Sequence, residues 1–288
     1  MFLREPCLPP GWYPGSRAKI GEFLEPFSKN GNSRSAIAPH AGWYYSGSCA
    51  AKAVSSLNSK AETVVVIGGH LPGGMPFLVA EEDAVKTPLG NMTIDVELRN
   101  GFREKFETRQ DLIRSDGIRP DCIRPDRYQD NTVEVLLPMV HYFFPKAELL
   151  WLRFPASLQS FEAGKLLAET AVSLGRNIAV LASTDLTHYG DNYGFSPKGR
   201  GKPALEWVKN VNDAAFIGAV LAGNPAEALK KANEDYSACS AGAVLGALGF
   251  AEAMGLSQRK FLEYCTSAGI DEGRIPDSFV GYAAISFE

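Results

Sequence analysis

Closely spaced cysteine pairs are missing from this chain, and histidine is scarce. Five cysteines (Cys7, Cys49, Cys122, Cys239 and Cys265) are scattered along 288 residues, with no CxxC spacing. That pattern excludes a zinc ribbon and a thioredoxin motif, and leaves buried reduced thiols as the reading for most of them. Neither GxxxxGK[ST] nor GxGxxG occurs, so the Gly-rich stretch Gly68–Gly74 is a weak phosphate cradle. Excess positive charge is also absent. The net charge of −4 lacks the basic footprint that a general nucleic-acid binder needs to neutralise phosphates. No apolar run approaches the length of a membrane span, and Arg4 and Glu5 stand where a signal peptide would carry its apolar segment. A cytoplasmic location is the expectation.

What is present is an ordinary globular composition, 45% hydrophobic and 22% charged, in a chain long enough for a large core. Short β-branched runs alternate with amphipathic stretches. Glu62–Ile67 and Asn177–Ser183 are apolar on both faces and predict central parallel strands. Helices are expected from Cys49, over Val96–Phe106, Ser160–Leu174, Val211–Ala222, Pro225–Ala232 and Ala241–Met254. Closing strands are expected at Phe261–Ser267 and Phe279–Phe287. Pro76–Val85 reads as one strand, and Gly117–Arg127, with its repeated Ile-Arg-Pro-Asp, as a rigid surface loop. Asn131 or Thr132 is expected to cap a short helix in which Glu134 complements the helix dipole. No linker divides the chain, so residues 1–288 are expected to form one α/β domain, its mainly parallel or mixed sheet flanked by helices. Pro6, Pro9, Pro10 and Pro14 make the first 34 residues an irregular arm, pinned to the body by Trp12 and Tyr13.

Three of the four histidines, His40, His70 and His188, each follow a predicted strand. Ligands of parallel sheets bind beyond the carboxyl ends of the strands, where these imidazoles would converge. One buried histidine is as often merely hydrogen-bonded as functional. Three in equivalent topological positions suit a transition metal, with Asp185 or Cys239 completing the ligand set. Cys239 precedes a predicted helix, whose N-terminus favours the thiolate.

The ordered set PHAGWYYSG, GGHLPGG, TPLG, VEVLLP, STDLTHYG, the Cys239 segment, YCTSAG and VGYAAISF resembles the Memo family, whose bacterial and archaeal members are called AmmeMemoRadiSam system protein B. The resemblance spans nearly the whole chain. It implies a fold similar to the class III extradiol dioxygenases, with metal ligands at His40, His70 and Cys239 and a polar pair at Asp185 and His188. It also implies iron, with copper as the alternative, and company with radical-SAM and AMMECR-type proteins; zinc is a further alternative outside the resemblance. Two departures stand out. Asp130-Asn131-Thr132 replaces the usual acidic residue, His and Ser, and Gly69-His70 replaces Asn-His. Asn131 keeps hydrogen bonding but cannot titrate, so proton transfer assigned to the family's histidine there is lost.

The resulting expectation is a metal-dependent, dioxygenase-like oxidoreductase acting on a small molecule or peptide. In it, Asp185 orients His188 as the general acid or base, and Trp43, Tyr44 and Tyr45 wall the cleft. A non-catalytic peptide- or protein-binding module and a zinc-type metallohydrolase stay open as alternatives.

Overall fold

Val64-Val65-Val66-Ile67 can bury both faces only if each is covered. In the computed structural model, which describes residues 2–27, 30–109, 122–269 and 275–288, both are. Val65 and Ile67 pack on one side of the strand with Phe161, Leu166 and Val244. Val64 and Val66 pack on the other with Trp43, Val54, Leu137 and Val140. Side chains alternate across a strand, so one run of four feeds two cores.

The strands in chain order are β1 (Leu3–Arg4), β2 (Ser35–Ala38), β3 (Thr63–Gly68), β4 (Phe77–Val79), β5 (Ala84–Thr87), β6 (Gly90–Thr93), β7 (Ile123–Pro125), β8 (Glu148–Arg153), β9 (Ile178–Ser183), β10 (His188–Gly190), β11 (Arg259–Thr266) and β12 (Ser278–Phe287). Nine of them form a mixed sheet in the order β10-β12-β2-β9-β3-β8-β4-β7, with β11 on β12. Its centre, β2-β9-β3-β8, is parallel. β12 runs antiparallel to β2, to β10 and to β11. A separate three-stranded sheet, β1-β5-β6, ties the N-terminal arm to the body. The chain is thus a single α/β domain with mixed sheets flanked by helices.

One face carries the helices Gln159–Ser173 and Ala241–Ala253. They approach so closely that a Cβ on Gly164 would lie 2.0 Å from the Gly246 carbonyl oxygen, so only glycine fits there. The other face carries Trp43–Ser56 and Leu137–Phe143. The first of these begins six residues before the expected Cys49, because Gly42 supplies the N-cap and Trp43 turns inward. Its indole Nε1 donates to the Val135 carbonyl at 2.9 Å.

Other boundaries also moved. Pro76–Val85 is two strands in different sheets, β4 and β5, and Ile123–Pro125 is an edge strand beside β4. The rest of the expected 117–127 loop, through residue 121, lies outside the described residues. The helix Asn131–Glu134 is capped by Asp130, whose carboxylate accepts from the Thr132 backbone N–H at 2.8 Å, and not by Asn131 or Thr132. Among the described residues, no helix is long and apolar enough to cross a membrane.

Candidate metal centre

Three neighbouring parallel strands end at one edge: β2 runs into Pro39-His40, β3 into Gly69-His70 and β9 into Thr184-Asp185. Cys239 reaches the same point from the turn that opens Ala241–Ala253. Its N–H donates to the Asp185 carbonyl at 3.2 Å, and the Ser240 N–H to Thr184 Oγ1 at 3.2 Å. The Ser240 hydroxyl in turn accepts from the His70 N–H at 3.2 Å. Ser240 sits so tightly on the β3 turn that a Cβ on Gly69 would lie 2.3 Å from its own Cβ. Glycine at position 69 is therefore required by this packing. His70 itself takes a left-handed backbone, φ 57°, an uncommon conformation for a residue with a Cβ.

The donor atoms of His40, His70 and Cys239 all lie within 4.8 Å of one another. Cys239 Sγ is 3.2 Å from His40 Nε2, and the two imidazole rings stand edge to face with centroids 4.9 Å apart. With metal–nitrogen and metal–sulfur bonds of ~2.0–2.3 Å, two ligands of one tetrahedral ion sit roughly 3.4–3.6 Å apart, so the set fits an ion. The outer partners fit too. His40 Nδ1 is 2.8 Å from Ser183 Oγ, and His70 Nδ1 is 3.1 Å from Asp130 Oδ2. Each imidazole therefore has its Nδ1 engaged, which orients the ring and frees Nε2.

The electrostatics favour a thiolate at Cys239 and a protonated His70, whose Nε2 proton an ion would have to displace. Desolvation disfavours a charged Cys239, but the neighbouring His40 and hydrogen bonds from both imidazoles outweigh it and bring the thiol down to about 6. His70 is also desolvated, yet its bonds to Asp130 and Cys239 hold it up at about 10. Asp130 is lowered to about 2: burial opposes this, and His70, Thr132 and Arg153 overcome it. Arg153 Nη2 lies 3.1 Å from Asp130.

The centre opens into a cleft of about 640 Å³ lined by His40, His70, His188, Asn131, Tyr45 and Tyr193, among others. Asn131 donates to the His40 carbonyl at 2.9 Å, holding the His40 backbone. His188 faces the cleft from β10, at the antiparallel margin. Its Nδ1 lies 3.1 Å from the Leu186 carbonyl; a carbonyl only accepts, so Nδ1 carries the proton and Nε2 the lone pair. Burial lowers the pKa of His188, which keeps it neutral.

Asp185 differs from its expected role. Its Oδ1 accepts from the His40 backbone N–H at 2.7 Å, and Oδ2 lies 3.9 Å from His40 Nε2. It fastens the His40 loop and acts on His188 through space, while a backbone carbonyl holds the His188 ring. Burial raises Asp185 to about 6. Of the three aromatics expected to wall the cleft, only Tyr45 does: Trp43 is in the core and Tyr44 points to solvent.

Trp12, expected chiefly to pin the arm by packing, lines the cleft with Pro10 and Gly11. The arm is held by Glu134, which accepts from Cys7 N (2.8 Å), Cys7 Sγ (2.7 Å), Leu8 N (3.0 Å) and Tyr13 OH (3.0 Å). Burial and the Glu134 carboxylate push the Cys7 thiol up to about 11. Glu134 lies in the first turn of its helix, as the dipole reading expects, and also clamps the wall of the cleft. The only sequence signal was a carboxylate beside an apolar run. His141, expected to be structural, meets Thr87 Oγ1 at 2.8 Å away from the centre.

A family model described as Memo-like protein matches residues 4–286. Among curated proteins the chain is similar to a MEMO1 family protein from Pyrococcus abyssi, 29% identical over 99% of each chain. It is also similar to one from Thermococcus onnurineus, 30% identical over 99% of each. Among solved structures, an uncharacterized protein from Escherichia coli K12 aligns at a TM-score of 0.45 and 13% identity, covering 88% of this chain and 99% of that one.

Proposed function

This chain belongs to the Memo family, and from that premise we propose that it is a metal-dependent redox enzyme whose ion is held by His40, His70 and Cys239. The observation that carries the reading is the Cys239 thiol clustered with two ring-oriented imidazoles that line one cleft. Iron is the preferred ion, with copper or zinc as alternatives. When bound, the ion would supply Lewis acidity and, as iron or copper, electron transfer.

The chain's own residues do the rest. Asp130 and Ser183 hold the ligand rings, and Asp185 and Asn131 fix the His40 backbone. Neutral His188 accepts a proton at Nε2 from a substrate group in the cleft. Trp12 and Tyr45 offer aromatic faces to the substrate. The architecture is read as related to the class III extradiol dioxygenases. Cys239 stands in place of the carboxylate of a two-histidine, one-carboxylate site, so the proposal ends at redox chemistry and does not extend to ring cleavage. Radical-SAM and AMMECR-type proteins are its proposed company.

The test is metal analysis of anaerobically purified protein beside a His40→Ala/His70→Ala variant. Wild type is expected to hold one equivalent and the variant to lose it; full metal in the variant would overturn the site. The aromatic wall supports a second reading, a peptide-binding pocket without catalysis. Redox turnover that disappears in Cys239→Ser would decide for the enzyme. A zinc-type hydrolase would instead hydrolyse esters with no redox-active metal present.

A further inference from the structure

A second buried carboxylate lies behind His188, away from the metal ligands. Asp213 is fully buried and opens the helix Asp213–Leu221, directly after the π-helical turn Val208–Asn212. Its Oδ1 accepts from the Thr187 backbone N–H at 3.1 Å and from the Thr187 hydroxyl, and its Oδ2 accepts from Tyr264 OH at 2.8 Å. Asn212 Nδ2 donates to Thr187 Oγ1 at 2.9 Å, so that hydroxyl must spend its own proton on Asp213. Among the described residues no cation pairs with this carboxylate, and burial pushes it up to about 6.

The opposite side of the segment is closed by β12. Leu186 N–H donates to the Gly281 carbonyl at 2.9 Å, and Gly281 N–H to the Thr187 carbonyl at 3.1 Å. A Cβ on Gly281 would lie 2.0 Å from Asp213 Oδ2. An unpaired buried carboxylate is costly, and simple packing would be served by an apolar side chain. What it holds is the residue between Leu186, whose carbonyl takes the His188 ring proton, and His188 itself. π-turns of this kind are frequent where a helix serves a functional site.

We propose that Asp213 is a positioning residue for His188: through Thr187 it sets the Leu186–His188 segment so that Nδ1 meets the Leu186 carbonyl and Nε2 is left bare toward the cleft. The inference rests on His188 as the proton acceptor. Asp213→Asn keeps Oδ1 for both Thr187 donors and offers its amide to Tyr264 oxygen, so it is the conservative variant. Thr187→Val removes the hydroxyl at constant shape, and Asp213→Ala removes the carboxylate.

The experiment is imidazole nitrogen NMR of the full chain loaded with zinc(II), with the His188 signals assigned by their loss in His188→Gln. Wild type is expected to show the Nδ1–H tautomer. Thr187→Val and Asp213→Ala are expected to shift both ring nitrogens toward the averaged position, Asp213→Asn to restore them, and zinc(II) uptake to stay unchanged throughout. Should Asp213→Ala not fold, Thr187→Val carries the test. His188 signals in Thr187→Val superimposable on wild type would overturn the proposal. The tautomer is read without turnover, so a shifted tautomer with unchanged turnover would leave the positioning standing and remove only the proton-acceptor reading.

Discussion

His70 stands just past the end of β3, and His188, expected to follow a strand, instead opens the edge strand β10; both line the cleft, yet their surroundings push them in opposite directions. His70 projects from the parallel centre of the sheet against the Asp130 carboxylate and the Cys239 thiol, and is held up at about 10. His188 projects from the antiparallel margin against a backbone carbonyl, with no hydrogen-bonded acid on its ring among the described residues, and is lowered by burial. The carboxylates behind them differ in the same way. Asp130 has His70 and Arg153 beside it and falls to about 2, whereas Asp213 is bonded only by neutral donors and rises to about 6. One wall therefore favours positive charge and the other keeps an imidazole uncharged. Residue type alone does not separate the two; the charge of the nearest hydrogen-bond partner does.

Substituting the base should break this contrast most sharply. His188→Gln is expected to lower turnover about 10²–10⁴-fold with metal content unchanged, as measured by steady-state kinetics beside elemental analysis. An equal loss of metal would place His188 on the cation-holding wall.

The two carboxylates should also give opposite pH slopes in unfolding free energy. Asp213 binds its proton more tightly when folded, its pKa rising from 3.8 to about 6. Its contribution is therefore most favourable below 3.8 and declines as pH rises through about 6, by on the order of 3 kcal/mol. Asp130 is lowered from 3.8 to about 2, so its contribution is full above 3.8 and is lost as pH falls toward 2. Denaturant titrations of Asp213→Asn from pH 4 to 7 should show a shallower falling limb, the remainder coming from Asp185, which burial also raises to about 6; an unaltered slope would show that Asp213 contributes nothing to it.

Asp130→Asn sharpens the comparison from the other side. Asparagine keeps one acceptor oxygen: with Oδ1 still capping Thr132, its amide NH2 faces His70 Nδ1, so both the charge and the acceptor for that ring are removed. Metal affinity by competition with a chelator is expected to weaken about 10–100-fold. The smallest effect is expected at the arm. Glu134→Gln leaves donors among Cys7, Leu8 and Tyr13 without an acceptor, costing about 1–3 kcal/mol. The arm should then be cut faster by protease while the metal stays bound.

Strand existence was legible because an apolar run of six, too short for a helix and bounded by Gly or Pro, has few other solutions. The convergence of His40 and His70 was legible because parallel strands bring their carboxyl ends to one edge. Cys239 was left open against Asp185 by the residues, and family resemblance named it. Helix starts were less readable. Gly42 opens a helix through three aromatics, of which the first turned inward and the second outward. Asp130 gave no sign that it would be both cap and histidine partner, since a cap is a local matter and His70 lies 60 residues away.

The sequence by itself determined the alternation of strand and helix, the α/β class and the strand-end histidines, because hydrophobic periodicity and chain-breaking residues act over a few neighbours. Tertiary structure decided which partner each titratable group meets: Asp130 for His70, Leu186 for His188, the arm for Glu134 and Thr187 for Asp213. Those pairings join segments far apart in the chain, and the field at a side chain is set by the atoms folded against it.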